Sequence, residues 1–367
     1  MKRTDLTILL LALVIAAIGI ASIYSSVYQE EDQLAQVVYR RQILWVVLGL
    51  IAFLAMSRFN YRILWDWTYF LYGLVIFLLS LVFILGIVRL GAQRWLRLAW
   101  FNIQPSELAK LFMVILIARY FSTKSTDDIS PITRKFGIFR SLVFPLLLAA
   151  IPMGLIVEQP DLGSAVMIFL VLVAMLFISG VRSKYVVIFL SAILLCAPVL
   201  WSFLRDYQKQ RLMVFINPNI DPLGAGYTVI QSKIAIGSGG LFGKGWFSGT
   251  QSQLNFLPES HTDFIFATFI EEWGFLGGIL LLFLYYLLIR QGLAIAQRTD
   301  DYFGKLLAYG ISLMLCFQII VNLAMNMGLA PVVGLPLPLM SYGGSSVVVT
   351  FMALGILVNI EKSRSLY

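Results

Sequence analysis

The chain has 367 residues, of which 60% are hydrophobic and 13% charged, and its formal net charge is +8. Soluble globular proteins are about 45–50% apolar and about 25% charged, so this composition excludes a cytosolic enzyme, a disordered chain and a secreted disulfide-rich domain. Two isolated cysteines and a single histidine exclude a Cys/His metal cluster. In a membrane protein, the basic balance indicates loops held at the cytoplasmic face, and no nucleic-acid partner is expected.

Ten apolar segments are candidates for membrane spans, since a spanning helix needs about 20 apolar residues. In chain order they cover roughly 6–25, 41–57, 64–86, 106–121, 141–158, 162–181, 184–203, 264–290, 304–327 and 345–360. The first apolar run is longer than that of a signal peptide, so we interpret it as a retained span. The sequence therefore predicts an all-α integral membrane protein, a single polytopic domain over residues 1–367 with about ten transmembrane helices.

The charges between the spans predict the orientation. With ten spans and both termini inside, most of the 27 Lys and Arg residues fall on the cytoplasmic side, as the positive-inside rule requires. We therefore expect cytoplasmic termini and two long outer segments, 87–105 and 204–263. The second, between spans seven and eight, is too long and too apolar for a linker, and a short helix is predicted over Tyr227–Ile236.

Two polar motifs lie in the first outer segment and at its junction with span four. In Gly91-Ala92-Gln93-Arg94-Trp95-Leu96, Arg94 and Trp95 suit either an interfacial anchor or a bidentate contact between guanidinium and phosphate. The second motif, Gln104-Pro105-Ser106-Glu107-Leu108-Ala109-Lys110, is typical of a helix start, with Pro at the first helical position and an acid in the first turn. Glu107 and Lys110 are three residues apart, so we expect an ion pair at the membrane edge.

A polar turn ending at Asp263 leads directly into span eight. Asp263 has two compatible interpretations. In one, Thr262 or Asp263 caps the helix by binding its first free amides. In the other, desolvation near the lipid headgroups raises the pKa of the Asp263 carboxyl group, which then takes a proton from a sugar hydroxyl as a general base. Glu259 and His261 are interpreted as solvated turn residues.

Glu271 and Glu272 lie two turns deeper in the same predicted span, about 12 Å below Asp263. Acids inside a span are costly and are therefore candidates for a functional role. A buried ion pair with a basic side chain elsewhere explains them equally well. The sequence leaves the roles of both residues open.

Three prolines and three glycines lie between Pro331 and Ser346, next to the last span. This composition predicts broken, re-entrant backbone, which is tolerated at membrane depth only where it is buried or lines a watery cavity. Ser341 in this segment is a candidate ligand contact. Carriers use such breaks as well, so the segment alone does not separate an enzyme from a carrier. The ligand expected is amphiphilic and anionic, because the basic groups lie where lipid phosphates lie. No Walker or Rossmann motif is present, as an activated donor taken from within the membrane would explain.

At these residues the chain resembles the SEDS family of shape, elongation, division and sporulation proteins. The matching segments are Gly91–Leu96, Gln104–Lys110, Gln159–Gly163, Asp221–Tyr227, Gln231–Gly240, Gly249–Phe266 and Pro336–Ser346. Within the family, Gly249–Gln253 and Leu335–Pro338 are more similar to the elongation branch, RodA, than to the division branch, FtsW.

The resemblance implies a peptidoglycan glycosyltransferase that polymerises lipid II, an undecaprenyl-pyrophosphate-linked disaccharide-peptide, during cell elongation. The protein would lie in the cytoplasmic (inner) membrane, with its active site facing the periplasm. The implied partners are a class B penicillin-binding transpeptidase and other membrane proteins of the elongation (Rod) complex. A divalent cation would help to neutralise the leaving group, although the sequence offers no dedicated set of ligands for one. A lipid II flippase and a non-catalytic scaffold for the transpeptidase are the alternatives.

By similarity, Asp263 is the general base that deprotonates the 4-hydroxyl of the acceptor. The candidate substrate-binding residues are Arg94, Trp95, Glu107, Lys110, Lys233 and Ser341. Of these, the resemblance supplies Trp95, Glu107 and Lys110, whereas Arg94 and Lys233 are inferred here as contacts of the pyrophosphate.

Overall fold

The computed structural model describes residues 3–28, 33–89, 92–98, 101–122 and 139–364. Several residues used in the charge count or the motifs lie outside these ranges, namely Lys2, Gly91, Lys124, Arg134 and Lys135.

Helices dominate the described ranges. They are α1 Arg3–Val27, α2 Gln33–Arg58, α3 Ile63–Leu85, α4 Pro105–Ser122, α5 Phe144–Glu158, α6 Leu162–Ile178, α7 Ser183–Leu195, α8 Ala197–Phe203, α9 Asp206–Ile216, α10 Tyr227–Ser238, α11 Thr250–Gln253, α12 Ile265–Arg298, α13 Tyr302–Asn326 and α14 Gly344–Arg364. A π-helical turn, Phe139–Val143, precedes α5, and a 3₁₀ turn, Pro218–Ile220, follows α9.

Every predicted span coincides with a helix or, for 184–203, with the bent pair of α7 and α8. Seven helices in the described part of the chain are long and apolar enough to cross a membrane, and the bent pair would make an eighth. They are α1, α2, α3, α5 with its π-helical turn, α12, α13 and α14. Of the others, α4 includes three charged residues and α6 has only 17 residues. The polytopic helical architecture is confirmed, whereas the number of ten spans stays a prediction.

The first outer segment contains a small sheet that was not predicted from the sequence. Strands β1 (Gly86–Arg89), β2 (Ala92–Leu98) and β3 (Phe101–Ile103) pair antiparallel in chain order. Trp95 of β2 lies opposite Ile87 of β1. Strands of three to seven residues are too short for their alternation to distinguish them from a loop.

The core lies around α4, which packs against α3, α6 and α13. Nearly all side chains of α4 are buried, including the charged Glu107 and Lys110. The predicted break before the last span is confirmed, because residues 327–343 contain no regular helix. Leu335, Leu337 and Met340 of this segment are nevertheless fully buried. The broken backbone therefore runs through protein, as its polar groups require.

The long outer segment folds as α9, α10 and α11, and the helix predicted over Tyr227–Ile236 is confirmed by α10. The segment is fixed to α12 where that helix is interrupted at Gly274, with φ of 68° and ψ of −170°. Four backbone hydrogen bonds of 2.9–3.2 Å join residues 240–245 to residues 271–276. A Cβ on Gly274 would lie 2.2 Å from the amide nitrogen of Gly243, so only glycine fits this junction.

Candidate functional site

The turn that carries Asp263 is held from behind by α13. The carbonyl oxygen of Asp263 accepts hydrogen bonds of 3.0 Å from Nδ2 of Asn322 and from Nδ2 of Asn326. Oδ1 of Asn326 also accepts from the amide of Ala267 at 3.3 Å. These bonds fix the main chain of the turn and do not involve the Asp263 side chain.

The prediction that Thr262 or Asp263 caps α12 is wrong. The residue before the helix is Phe264, which provides no side-chain cap, and Oγ1 of Thr262 donates to Oε2 of Glu259 at 2.9 Å. Asn326 of α13 binds an amide that a local cap would have bound. The Asp263 carboxyl group makes no hydrogen bond to any other residue in the described ranges, so it is available to a ligand.

The re-entrant segment encloses the same turn. The buried Ser341 hydroxyl donates to the carbonyl of Thr262 at 2.6 Å and accepts from the amide of Leu337 at 2.8 Å. A Cβ on Gly334 would lie 3.4 Å from Oδ2 of Asp263, so this segment passes directly beside the carboxyl group. Ser341, predicted as a substrate contact, is here bonded on both sides to protein backbone.

The environment of Asp263 raises the pKa of its carboxyl group. Burial raises the pKa of Asp263 to about 6, and the negative charge of Glu259 acts in the same direction. The charges of Arg94 and Arg211 lower this pKa without cancelling the effect of burial. A carboxyl group with such a pKa is largely ionised at neutral pH and is still basic enough to accept a proton.

The charges of two arginines from different elements act on this carboxyl group. Arg94 of β2 donates from Nε to the carbonyl of Gln159 at 3.3 Å and from Nη2 to that of Pro160. Arg211 of α9 donates from Nη1 to the carbonyl of Val332 at 3.0 Å. Burial lowers the pKa of Arg211, and the charge of Arg94 lowers it further, as expected for two neighbouring guanidinium groups. Paired guanidinium groups suit a diphosphate.

The Gln159–Gly163 motif connects the Arg94 strand to α4. Oδ2 of the buried Asp161 accepts from Oγ of Ser106 at 2.8 Å and from Nε2 of Gln104 at 3.1 Å. Its Oδ1 accepts from the amide of Ser164 at 3.2 Å and so caps α6. Asp161 thereby joins two of the motifs found in the sequence.

The predicted ion pair of Glu107 and Lys110 is present, with 2.8 Å between Oε1 and Nζ and both side chains no more than 3% exposed. Nζ of Lys110 also donates to Oε1 of Gln318 at 3.2 Å. Nε2 of Gln318 in turn donates to the carbonyl of Pro336 at 3.0 Å. The pair is thus connected to the re-entrant segment through α13.

Trp95 and Lys233 lie apart from this network. Trp95 is half-buried and follows Arg94 directly on β2, so its side chain points to the opposite face of the strand. Lys233 is exposed, and its Cε lies only 2.1 Å from where a Cβ on Gly328 would be. Its side chain therefore covers the end of α13, where helix geometry favours a cation.

Some residues of the site were missed in the sequence. Gln318, Asn322 and Asn326 are spaced by four within an apolar span, so they share one face of α13, and this spacing was a usable signal. Arg211 gave no such signal, because it is one of several basic residues in a long outer segment.

No group of three or more His, Cys, Asp or Glu side chains suited to a metal ion is found among the residues that the structure describes. The expectation of a divalent cation at the site stays untested.

Known proteins resemble this chain over nearly its whole length. Residues 5–366 match the family described as FtsW/RodA/SpoVE cell cycle protein. The chain is 42% identical to peptidoglycan glycosyltransferase MrdB of Escherichia coli K12, over 99% of this chain and 94% of that protein. It matches a chain in a solved peptidoglycan synthase complex, described as coordinating polymerization and crosslinking, with a TM-score of 0.82, 30% identity and 99% coverage of both. The RodA rod shape determining protein of Thermus thermophilus matches with a TM-score of 0.70 and 29% identity, over 97% of this chain and 96% of that one.

The family match, the high identity to MrdB and the RodA fold agree with the resemblance found in the motifs and with its elongation branch. This chain is a multi-pass membrane protein that belongs to the FtsW/RodA/SpoVE family.

Proposed function

We propose that the protein is a peptidoglycan glycosyltransferase that polymerises lipid II during cell elongation, with Asp263 as its general base. One observation carries the proposal. The carboxyl group of Asp263 has a pKa raised to about 6, is fixed through its own backbone, and is acted on by the charges of Arg94 and Arg211. The similarity to MrdB supports the same activity.

In the proposed reaction, Asp263 takes the proton of the acceptor 4-hydroxyl. The acceptor oxygen then forms a bond to C1 of the donor sugar, and the bond between C1 and the pyrophosphate oxygen breaks. The polyprenyl pyrophosphate leaves with that electron pair. Arg94 and Arg211 stabilise the charge that develops on the leaving group. Glu107, Lys110 and Ser341, whose polar atoms are bonded within the protein, support these groups from behind.

We infer that the Asp263 end of the bundle faces the periplasm across the cytoplasmic membrane, because the positive-inside rule places the termini in the cytoplasm. A class B penicillin-binding transpeptidase is the proposed partner, and the match to a chain of a peptidoglycan synthase complex supports it. Other membrane proteins of the elongation complex would join the same assembly.

The direct test is polymerisation by the purified protein. With lipid II in detergent or vesicles, and with penicillin and moenomycin present, we expect glycan polymer and released undecaprenyl pyrophosphate. The charged groups of the site come from elements that precede or follow spans, whereas a carrier holds its ligand near the midplane. Lipid II that crosses the bilayer without polymer formation would favour the flippase. The absence of both polymerisation and transport would favour the scaffold.

The pH profile of polymerisation should report the base. Because Asp263 accepts a proton only when ionised, the rate is expected to rise with pH through about 6 and then level off. Glu259→Gln should shift this midpoint down, since it removes a neighbouring negative charge. Arg211→Gln should shift it up, since it removes a positive one. A midpoint that neither variant moves would contradict the assignment of the profile to Asp263.

Removal of one arginine should weaken transition-state binding. A hydrogen bond to a charged group contributes about 1.5–3 kcal/mol, so Arg211→Gln is expected to lower kcat/KM by about 10- to 150-fold. Lys209→Gln, on the same helix, is the matched control. It should change kcat/KM by about 2-fold or less, because Lys209 is partly exposed and forms none of the salt bridges found in the described ranges. Equal losses in both variants would indicate a general effect of charge and not a leaving-group contact.

A further inference from the structure

The two acids inside α12 have different surroundings. Glu271 is fully buried, and its carboxylate has both hydrogen-bond donors and a basic partner. Its Oε1 accepts from Nζ of Lys244 at 2.7 Å and from Oγ1 of Thr250 at 3.0 Å. The amide of Gln251 lies 3.2 Å from each of its carboxylate oxygens. Glu271 and Lys244 thus form a charge-neutral pair that holds the outer segment.

Glu272 is also buried, at 1% exposed, but it is only half satisfied. Oε1 accepts from Oγ of Ser25 on α1, and the amide of Phe247 donates to the same carboxyl group. Oε2 has no donor within the ranges that the structure describes. The salt bridges found in those ranges give Glu272 no basic partner either.

One further oxygen without a donor is connected to Glu272 through Ser25. Gln253 donates from Nε2 to the carbonyl of Ser25 at 2.8 Å, which leaves its Oε1 as a buried acceptor with no donor among the described residues. Ser25 therefore joins Glu272 to Gln253 and brings two oxygens without donors to one place.

The charge of the Glu272 carboxylate indicates which kind of ligand would bind there. A buried carboxylate without a partner is costly, and one positive charge would neutralise this one because Glu271 is already paired. The first half of α12 ends at the Gly274 break, and the end of a helix favours a cation. Broken helices also hold Na⁺ through carbonyl oxygens in other membrane proteins.

We propose that Glu272, with the side-chain oxygen of Gln253, binds a hard monovalent cation, Na⁺, between α1, α11 and α12. Oxygen ligands with a single carboxylate suit Na⁺ better than Mg²⁺, which demands near-ideal octahedral geometry. The site is separate from the Asp263 carboxyl group, and the proposal does not depend on the reaction that the protein catalyses. Its expected effect is to stabilise the junction between the outer segment and α12.

The test is thermal unfolding of the full-length purified protein, followed by tryptophan fluorescence. NaCl replaces choline chloride at constant ionic strength and pH. We expect a saturable rise of the unfolding midpoint with Na⁺ that is absent in Glu272→Gln. Glu271→Gln is the matched control: it should lower the midpoint but retain the rise with Na⁺. Gln253→Leu should require more Na⁺ for the same shift.

Several outcomes would overturn the proposal. They are a wild-type midpoint insensitive to Na⁺, an equal rise in Glu272→Gln, and a rise given by Mg²⁺ but not by Na⁺. Stabilisation by acid alone, lost in Glu272→Gln, would show that a proton occupies the site instead. If Glu272→Gln does not fold, saturable binding of radioactive sodium to the wild type, weakened in Gln253→Leu, decides the question, and its absence rejects the site.

Discussion

Replacing Asp263 by Asn is expected to lower the rate of lipid II polymerisation by about 10²- to 10⁴-fold, the usual contribution of a positioned general base. Asn keeps the size of the side chain but cannot accept the proton. The fold should persist, because Asn322 and Asn326 bind the backbone carbonyl of residue 263 and not its carboxyl group. Polymer length and initial rate, measured with purified protein and lipid II, report the effect.

The unfolding temperature of Asp263→Asn distinguishes a loss of catalysis from a loss of folding. The pKa of Asp263 in the folded protein, about 6, lies above its usual value of 3.8, so the folded state binds this proton more tightly than the unfolded chain. Its contribution to stability is thus present at low pH and is lost as the pH rises from about 4 to 6. At pH 7, Asp263→Asn should therefore unfold at the same temperature as the wild type or a higher one. Glu259→Gln serves as the control for loss of a nearby carboxylate. Wild-type polymerisation by Asp263→Asn would remove the base assignment.

Lys110→Met is expected to cause the largest loss of stability, about 3–5 kcal/mol, because it leaves the Glu107 carboxylate buried without its ion pair. The double variant Glu107→Gln/Lys110→Met should recover most of this loss, since replacing both members of a buried pair is often neutral. The unfolding midpoints of the wild type, both single variants and the double variant form a complete double-mutant cycle.

Polymerisation by the same four proteins distinguishes two roles for the pair. If Glu107 and Lys110 only support the re-entrant segment through Gln318, the double variant should regain activity together with stability. If Lys110 binds the substrate, as the sequence resemblance predicts, the double variant should be stable but inactive. A double variant no more stable than Lys110→Met would contradict the buried-pair argument itself.

The sequence by itself determined the elements whose formation depends on local pattern. The apolar segments predicted the spans, because burying them in lipid depends mainly on length and hydrophobicity. Pro105 with Glu107 predicted the start of α4, and the spacing to Lys110 predicted the ion pair, since both are fixed within one helical turn. The prolines and glycines from Pro331 onward predicted the broken backbone for the same local reason.

Only the tertiary structure decided which distant polar groups meet. A helix cap on Asp263 was expected, but α13 supplies Asn326 across 59 residues of chain. Arg211 is held at the site by its hydrogen bond to the carbonyl of Val332, and Glu271 forms a salt bridge with Lys244. Hydrogen bonds and charge interactions fall off over a few ångströms, so their partners are set by how the segments pack and not by spacing along the chain.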